Sequence, residues 1–340
     1  MNGRSIGWNG LAVVLAACPG APPEAEIIVR EDTLAAARDD GYVYTIDVGL
    51  RLEAAAIAGD RAAWAAQLPS VTRVTHDDPA DPWSRGMVAW RWKEGNPPDA
   101  SGTTEALRVA SGLWRGATMF SQPDASRTAL ALLAGYARHA REDRGIWFIA
   151  NYFNFGTKAL ATNSFLVDYD PDFLAEVAQS PLAGATQLAD LAERSCALVR
   201  SAHAPAGLLY DIVQPEVATL APDGPVIFSP NDIVQINTSA TVAERSVRCD
   251  PALAAGVLAF ALAHESDLRV AYYGRTGETA SATQAAPDTW AVLARLAHRT
   301  GDDVSAARFA GRIGSPTDVY TLGEAMLTSA YLGGSQPTSR

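Results

Sequence analysis

GMVAWRWKEGNPPDASGTTEALRVASGLW, residues 86–114, carries the reading on which the fold turns. An apolar run with two tryptophans, Trp90 and Trp92, enters a Pro97-Pro98 turn. A loop of small residues follows. An amphipathic segment then places Ala106, Ala110, Leu113, Trp114 and Ala117 on one face at helical spacing. Gly102 stands at the N-cap and Glu105 in the first turn. Aromatic rings beside a carboxylate at a helix mouth suit carbohydrate chemistry, because flat apolar faces stack on sugars and an acid protonates a glycosidic oxygen. Glu105 also has a plainer role open to it: an acid there closes a capping box and favours the helix dipole.

Similar segments fill the chain. Helical periodicity covers 33–58 (interrupted at Asp40-Gly41), 60–68, 103–118, 126–140, 171–179, 183–202, 240–248, 251–264, 287–300, 303–312 and 321–332. Gly, Pro, Asn and Asp clusters separate them. The β-like stretches are few: 42–46, 87–92, 146–152 and 226–236. No GxGxxG, Walker loop or GxSxG occurs. No fixed period recurs, as an open solenoid would require. Long loops rich in aromatics fit a closed ring of helical hairpins, where they gather at one end. The expectation is an all-α toroid with a few short β-strands in its loops, one domain over residues 29–335.

The 340 residues, 48% hydrophobic, supply a sizeable core. A net charge of −11 argues against a nucleic-acid partner, which wants a basic face. Residues 1–18 read as a lipoprotein signal: Arg4, an apolar core at 11–17, and Cys18 after Leu15-Ala16-Ala17 as the lipidated residue. Residues 19–28 then form a tether, and the membrane contact is a lipid anchor rather than a span. Cys196 and Cys249 either pair, as exported proteins allow, or stay as buried free thiols. The five His residues are scattered, so no metal or other cofactor is implied.

Acids at loop–helix junctions are the catalytic candidates. Asp40 follows Asp39 in a turn with Gly41, and Tyr42 and Tyr44 beyond it are placed to line a cleft. Asp47 sits in an apolar segment; if buried, it needs a partner or becomes a carboxyl of raised pKa. Asp99 either binds a sugar hydroxyl or serves the turn. Asn151 and Tyr152 set an amide among aromatics, and Trp90, Trp92 and Tyr152 are candidate stacking platforms or core. Asp211 and Asp232 belong to the cleft or to turns. His264-Glu265 reads as surface.

In order along the chain, these segments resemble glycoside hydrolase family 8. IDVGLRLEAAAIAGDRAAW (46–64) is similar to that family's first inner helix with its AGD-aromatic second helix. GMVAWRW with DASGTTEALRVASGLW (99–114) resembles its signature helix, although Gly102 and Thr104 stand where two Asp residues are expected. NSFLVDYDPDFLAEVA (163–178), APAGLLYDIVQPE (204–216) and PNDIVQINTSA (230–240) resemble three further segments. The resemblance implies an (α/α)6 toroid and inverting acid/base hydrolysis of a polysaccharide or oligosaccharide. It leaves Glu105 and one of Asp40 or Asp47 as the acid/base pair, with Asp99, Asp211 and Asp232 on sugar hydroxyls. A non-catalytic glycan-binding lipoprotein on the same fold, or a helical envelope scaffold with a filled centre, are the other readings.

Overall fold

The computed structural model describes residues 36–182, 184–217 and 226–333. The signal, the tether, Cys18 and the expected domain limits at 29 and 335 lie outside the described residues. Eleven α-helices are found within them: α1 (Thr45–Ile57), α2 (Arg61–Val74), α3 (Thr103–Phe120), α4 (Pro123–Ala137), α5 (Pro171–Ala178), α6 (Leu188–Arg200), α7 (Ile236–Glu244), α8 (Pro251–Ala263), α9 (Pro287–Arg299), α10 (Asp303–Ala310) and α11 (Val319–Gly333).

The odd-numbered helices form an inner ring. Helix α1 packs on α3 and on α11, and α9 packs on α7 and α11. Between α3 and α7 the ring is closed by a 3-10 turn, Leu166–Asp168, which touches both. The even helices lie outside, each against its preceding inner neighbour. Outer α2, α8 and α10 begin on aspartate caps: Asp60, Asp250 and Asp302 each accept a backbone N–H three residues on. Inner α1, α3, α7 and α9 have no side-chain cap.

Two glycines set how closely α1 and α3 approach. A Cβ on Gly49 would run into Arg108, and one on Gly112 into the backbone of Glu53. The contact brings charged groups into the ring interior, where they pair. Glu53 accepts from Arg108 at 2.7 Å, Ser111 at 2.9 Å and Arg115 at 3.1 Å. Arg295, fully buried, reaches Glu244 at 2.8 Å, Glu324 at 2.6 Å and Thr328 at 2.9 Å. Unpaired, such groups would cost several kcal/mol each. These pairs tie inner helices from different hairpins to one another.

Some boundaries differ from the sequence expectation. Within 33–58 the helix is confined to 45–57, after a turn and a short strand, Val43–Tyr44, that pairs with Arg91–Trp92. Helix α7 starts four residues earlier than the periodicity indicates, because Ile236 is already core. Cys196 and Cys249 are disulfide-bonded, which resolves that alternative and links α6 to the segment before α8. No helix among the described residues is long and apolar enough to cross a membrane.

Candidate active site

Chain segments leading into α1 and α3 meet at one end of the ring. The strand pair 43–44/91–92 sets two faces by simple alternation. Val43 and Trp92 are paired and turn toward the core, while Tyr44 and Arg91 turn away from it. Trp92 takes the core alternative: it packs on the core, with the Arg73 guanidinium 4.4 Å over its ring. A bend at Trp90 brings that indole to the side of Arg91 instead, 5.5 Å from Tyr44 in an edge-on contact. The Trp90 Nε1 donates to Asp99 at 2.7 Å, and Arg91 lies 4.1 Å over both Trp90 and Tyr42.

Asp40 belongs to the same cluster. Its carboxylate accepts from Tyr44 Oη at 2.8 Å and from the Tyr42 N–H at 3.0 Å, with Arg91 at 3.8 Å. The backbone N–H of Tyr42, then the Tyr44 hydroxyl, holds it below the ordinary carboxylate range. Asp40 is thus an exposed carboxylate that stays ionised at neutral pH. Asp47 is different. It is fully buried and grips Arg38 through two bonds of 2.9 and 2.8 Å. The partner its burial demands is Arg38, which also lies 4.1 Å over Tyr44.

Glu105 lies on α3. Gly102, the cap residue, has no side chain, and the Glu105 carboxyl fills the space that a Cβ there would enter, beside the Trp90 Cβ. Glu105 is half-buried. Its burial pushes the carboxyl up to about 7; the like charge of Asp168 adds to this, while its own N–H, Arg245 and Arg38 oppose it.

Asp168 and Asp170 went unnoticed in the sequence. Asp168 is buried and accepts from Thr104 Oγ1 and the Phe165 N–H, both at 2.8 Å. Despite those donors, burial raises it to about 6. Asp170 caps α5 and is also raised to about 6 by burial, against the pull of Arg245 at 4.0 Å. The alternating acids of DYDPD, 168–172, were the available signal.

The other expected contacts are spread out. Asn151 accepts through its backbone carbonyl from Thr103 Oγ1 at 2.9 Å, and Tyr152 is exposed beside it. Asp211 accepts from Ser229 Oγ, and burial raises its pKa. Asp232 accepts from Tyr210 Oη at 3.2 Å and from the Arg275 N–H at 3.2 Å. The structure thus gathers Asp40, Tyr44, Trp90 and Asp99 into one cluster and sets Glu105 against Trp90. Asp211 and Asp232 bond instead to Ser229, Tyr210 and Arg275, outside that cluster. Among the described residues no group of three or more His, Cys, Asp or Glu is arranged to hold a metal ion.

Neither a family model nor a curated protein matches the sequence. Solved structures do match its fold. Endoglucanase Cel10, a family 8 glycosyl hydrolase from Klebsiella pneumoniae, superposes with a TM-score of 0.66 at 15% identity, over 90% of this chain and 96% of that one. The endo-β-1,4-glucanase CMCax from Acetobacter xylinum gives 0.63 at 16% identity, over 90% and 94%. An α-amylase from Clostridium perfringens gives 0.69 at 14% identity, over 85% and 87%. The chain has the helical toroid fold of family 8 glycosyl hydrolases, in divergent form.

Proposed function

We propose that this protein is a glycoside hydrolase that cleaves a polysaccharide with inversion, Glu105 acting as proton donor and Asp40 as base. One observation carries the reading: the Glu105 carboxyl fills the side-chain space over Gly102, against Trp90, and is held near 7. A carboxyl in that range is still partly protonated at neutral pH and can give its proton to a leaving oxygen. Asp40, held ionised, is suited to accept a proton from water on the other face of the sugar. Trp90 and Tyr44 offer ring faces and edges, and Asp99 and Arg91 offer polar groups to hydroxyls. Asp47, committed to Arg38, is left out of the chemistry.

The fold neighbours named as endoglucanases support a polysaccharide substrate. An exported location, anchored through lipidated Cys18, completes the proposal; the Cys196–Cys249 disulfide favours an oxidising compartment.

A second reading, glycan binding without cleavage, is favoured by the donors already on Asp40, which compete with a catalytic water. Reducing-end release from a panel of soluble glucans, xylans and chitosan separates the two. Hydrolysis is expected to fall as pH rises through about 7, and Glu105→Gln to lower kcat by roughly 10²- to 10⁴-fold. A variant that hydrolyses like the parent removes Glu105 from the mechanism. Binding without hydrolysis by the parent establishes the second reading.

A further inference from the structure

Away from the acid, a loop and a strand enclose an open groove of about 600 Å³ lined by Asp78, Asp81, Trp83, Phe153, Lys158 and Leu160. Trp83 is 43% exposed, a high value for an indole, yet it is held. Its ring rests on buried Phe153 with centroids 4.6 Å apart. Arg138 donates to the backbone carbonyls of both Trp83 and Arg85, fixing the loop on either side. Lys158 is ion-paired with Asp81 across the groove. An aromatic face held open to water, with a carboxylate and an ammonium at its rim, is the surface a sugar ring recognises.

Buried hydrogen bonds join the floor of the groove to the segment that leads into the candidate active site. Ser101 donates its N–H to the Phe153 carbonyl at 2.9 Å, and the Phe153 N–H donates to Ser101 Oγ at 2.8 Å. His139 backs this bond: its Nδ1 faces the Gly135 and Tyr136 carbonyls, so Nε2 accepts from Ser101 Oγ at 2.7 Å. Ser101 precedes Gly102, over which the Glu105 carboxyl lies. Exposed Tyr152 stands between Asn151, bonded to Thr103, and Phe153.

We propose that the Trp83 groove is an outlying subsite that binds a distal sugar of the same polysaccharide chain whose scissile bond lies at Glu105, so that the protein selects long polymers over short oligosaccharides. This rests on the hydrolase reading for its substrate, but its test is made by binding alone. The inactive Glu105→Gln protein is run in native gels containing soluble β-glucan, xylan, chitosan or starch. Trp83→Ala in that background is expected to weaken retardation by the retained polymer about tenfold, and Trp83→Phe to keep most of it. Affinity for the matching di- and trisaccharides, measured by calorimetry, is expected to stay unchanged. Equal retardation with and without Trp83 overturns the subsite, as does a panel in which no polymer is retarded. Loss of affinity for short and long ligands alike also overturns it, since it places Trp83 at the cleavage site. Persistent cleavage in Glu105→Gln, by contrast, would count against the mechanism and leave the subsite standing.

Discussion

Replacing Glu105 by Gln should make the protein more stable at alkaline pH while removing activity. A carboxyl that sits at 4.5 in the unfolded chain and about 7 in the folded one binds its proton more tightly when folded. Its contribution is therefore fully present below 4.5 and lost as pH rises toward 7 and beyond. With both states ionised, at pH 8, the loss is about 3 kcal/mol; at pH 5 it is under about 1 kcal/mol. Glutamine keeps the length and the hydrogen-bonding end of the side chain but carries no charge. Urea unfolding followed by tryptophan fluorescence should show Glu105→Gln more stable than the parent by ~2–3 kcal/mol at pH 8, roughly 5 °C in Tm, and near parity at pH 5. Asp170 is common to both proteins and largely cancels, while Asp168, coupled to Glu105 by like charge, is relieved in the variant and shifts stability the same way. If Glu105 merely served the helix dipole, its charge would stabilise by about 0.3–1 kcal/mol and the variant would be weaker at pH 8. A destabilised variant at pH 8 refutes the reasoning.

Three further outcomes follow from other parts of the fold. Arg295→Ala strands Glu244 and Glu324 in the ring interior and should cost ~3–5 kcal/mol by urea unfolding; adding Glu244→Gln and Glu324→Gln should recover part of it. Replacing Cys196 and Cys249 by Ser frees a loop of 53 residues and should cost about 4 kcal/mol, with a matching loss when the parent is reduced. In a Glu105→Ala protein, adding Gly102→Asp should not restore hydrolysis, because an acid at the cap is held ionised by the first-turn N–H groups; recovered reducing-end release would count against Glu105 as the proton donor. The extended backbone at 102 (φ −130°) accepts a side chain, and with Glu105 cut back the close neighbour left is the Trp90 Cβ, 2.9 Å from an added Cβ.

What the sequence made legible was local. The amphipathic spacing of 103–118 sits within α3, and the few β-like stretches coincide with short pairs in the loops. Asp47 illustrates the limit. Its apolar segment makes a partner necessary if it is buried, but Arg38 lies nine residues away across a turn and a strand, where periodicity says nothing. Trp90 and Trp92 share parity, and a regular strand would have put them on one face. The bend at Trp90 separates them, and it follows from contacts with 44 and 99 rather than from its own neighbours in sequence. Asp168 and Asp170 were missed because their raised pKa comes from ring closure, in which segments 60 to 80 residues apart bury them.

Gly102 and Glu105 together show how such a site changes character without changing place. A short acid at the cap position is ordinarily bonded by the N–H groups of the first helical turn, which favour its ionised form. With glycine at 102 that side chain is gone, and the carboxyl over the cap comes from Glu105, three residues into the helix. Reaching back from that position, it is opposed in its burial only by its own N–H among backbone donors, while Asp168 adds a like charge. Burial prevails, and the carboxyl moves from a state suited to accept a proton to one suited to give it. With Glu105 proposed as the proton donor, the base has to come from a group outside α3. In the proposed mechanism that part falls to Asp40, whose carboxylate accepts from Tyr44 Oη and the Tyr42 N–H.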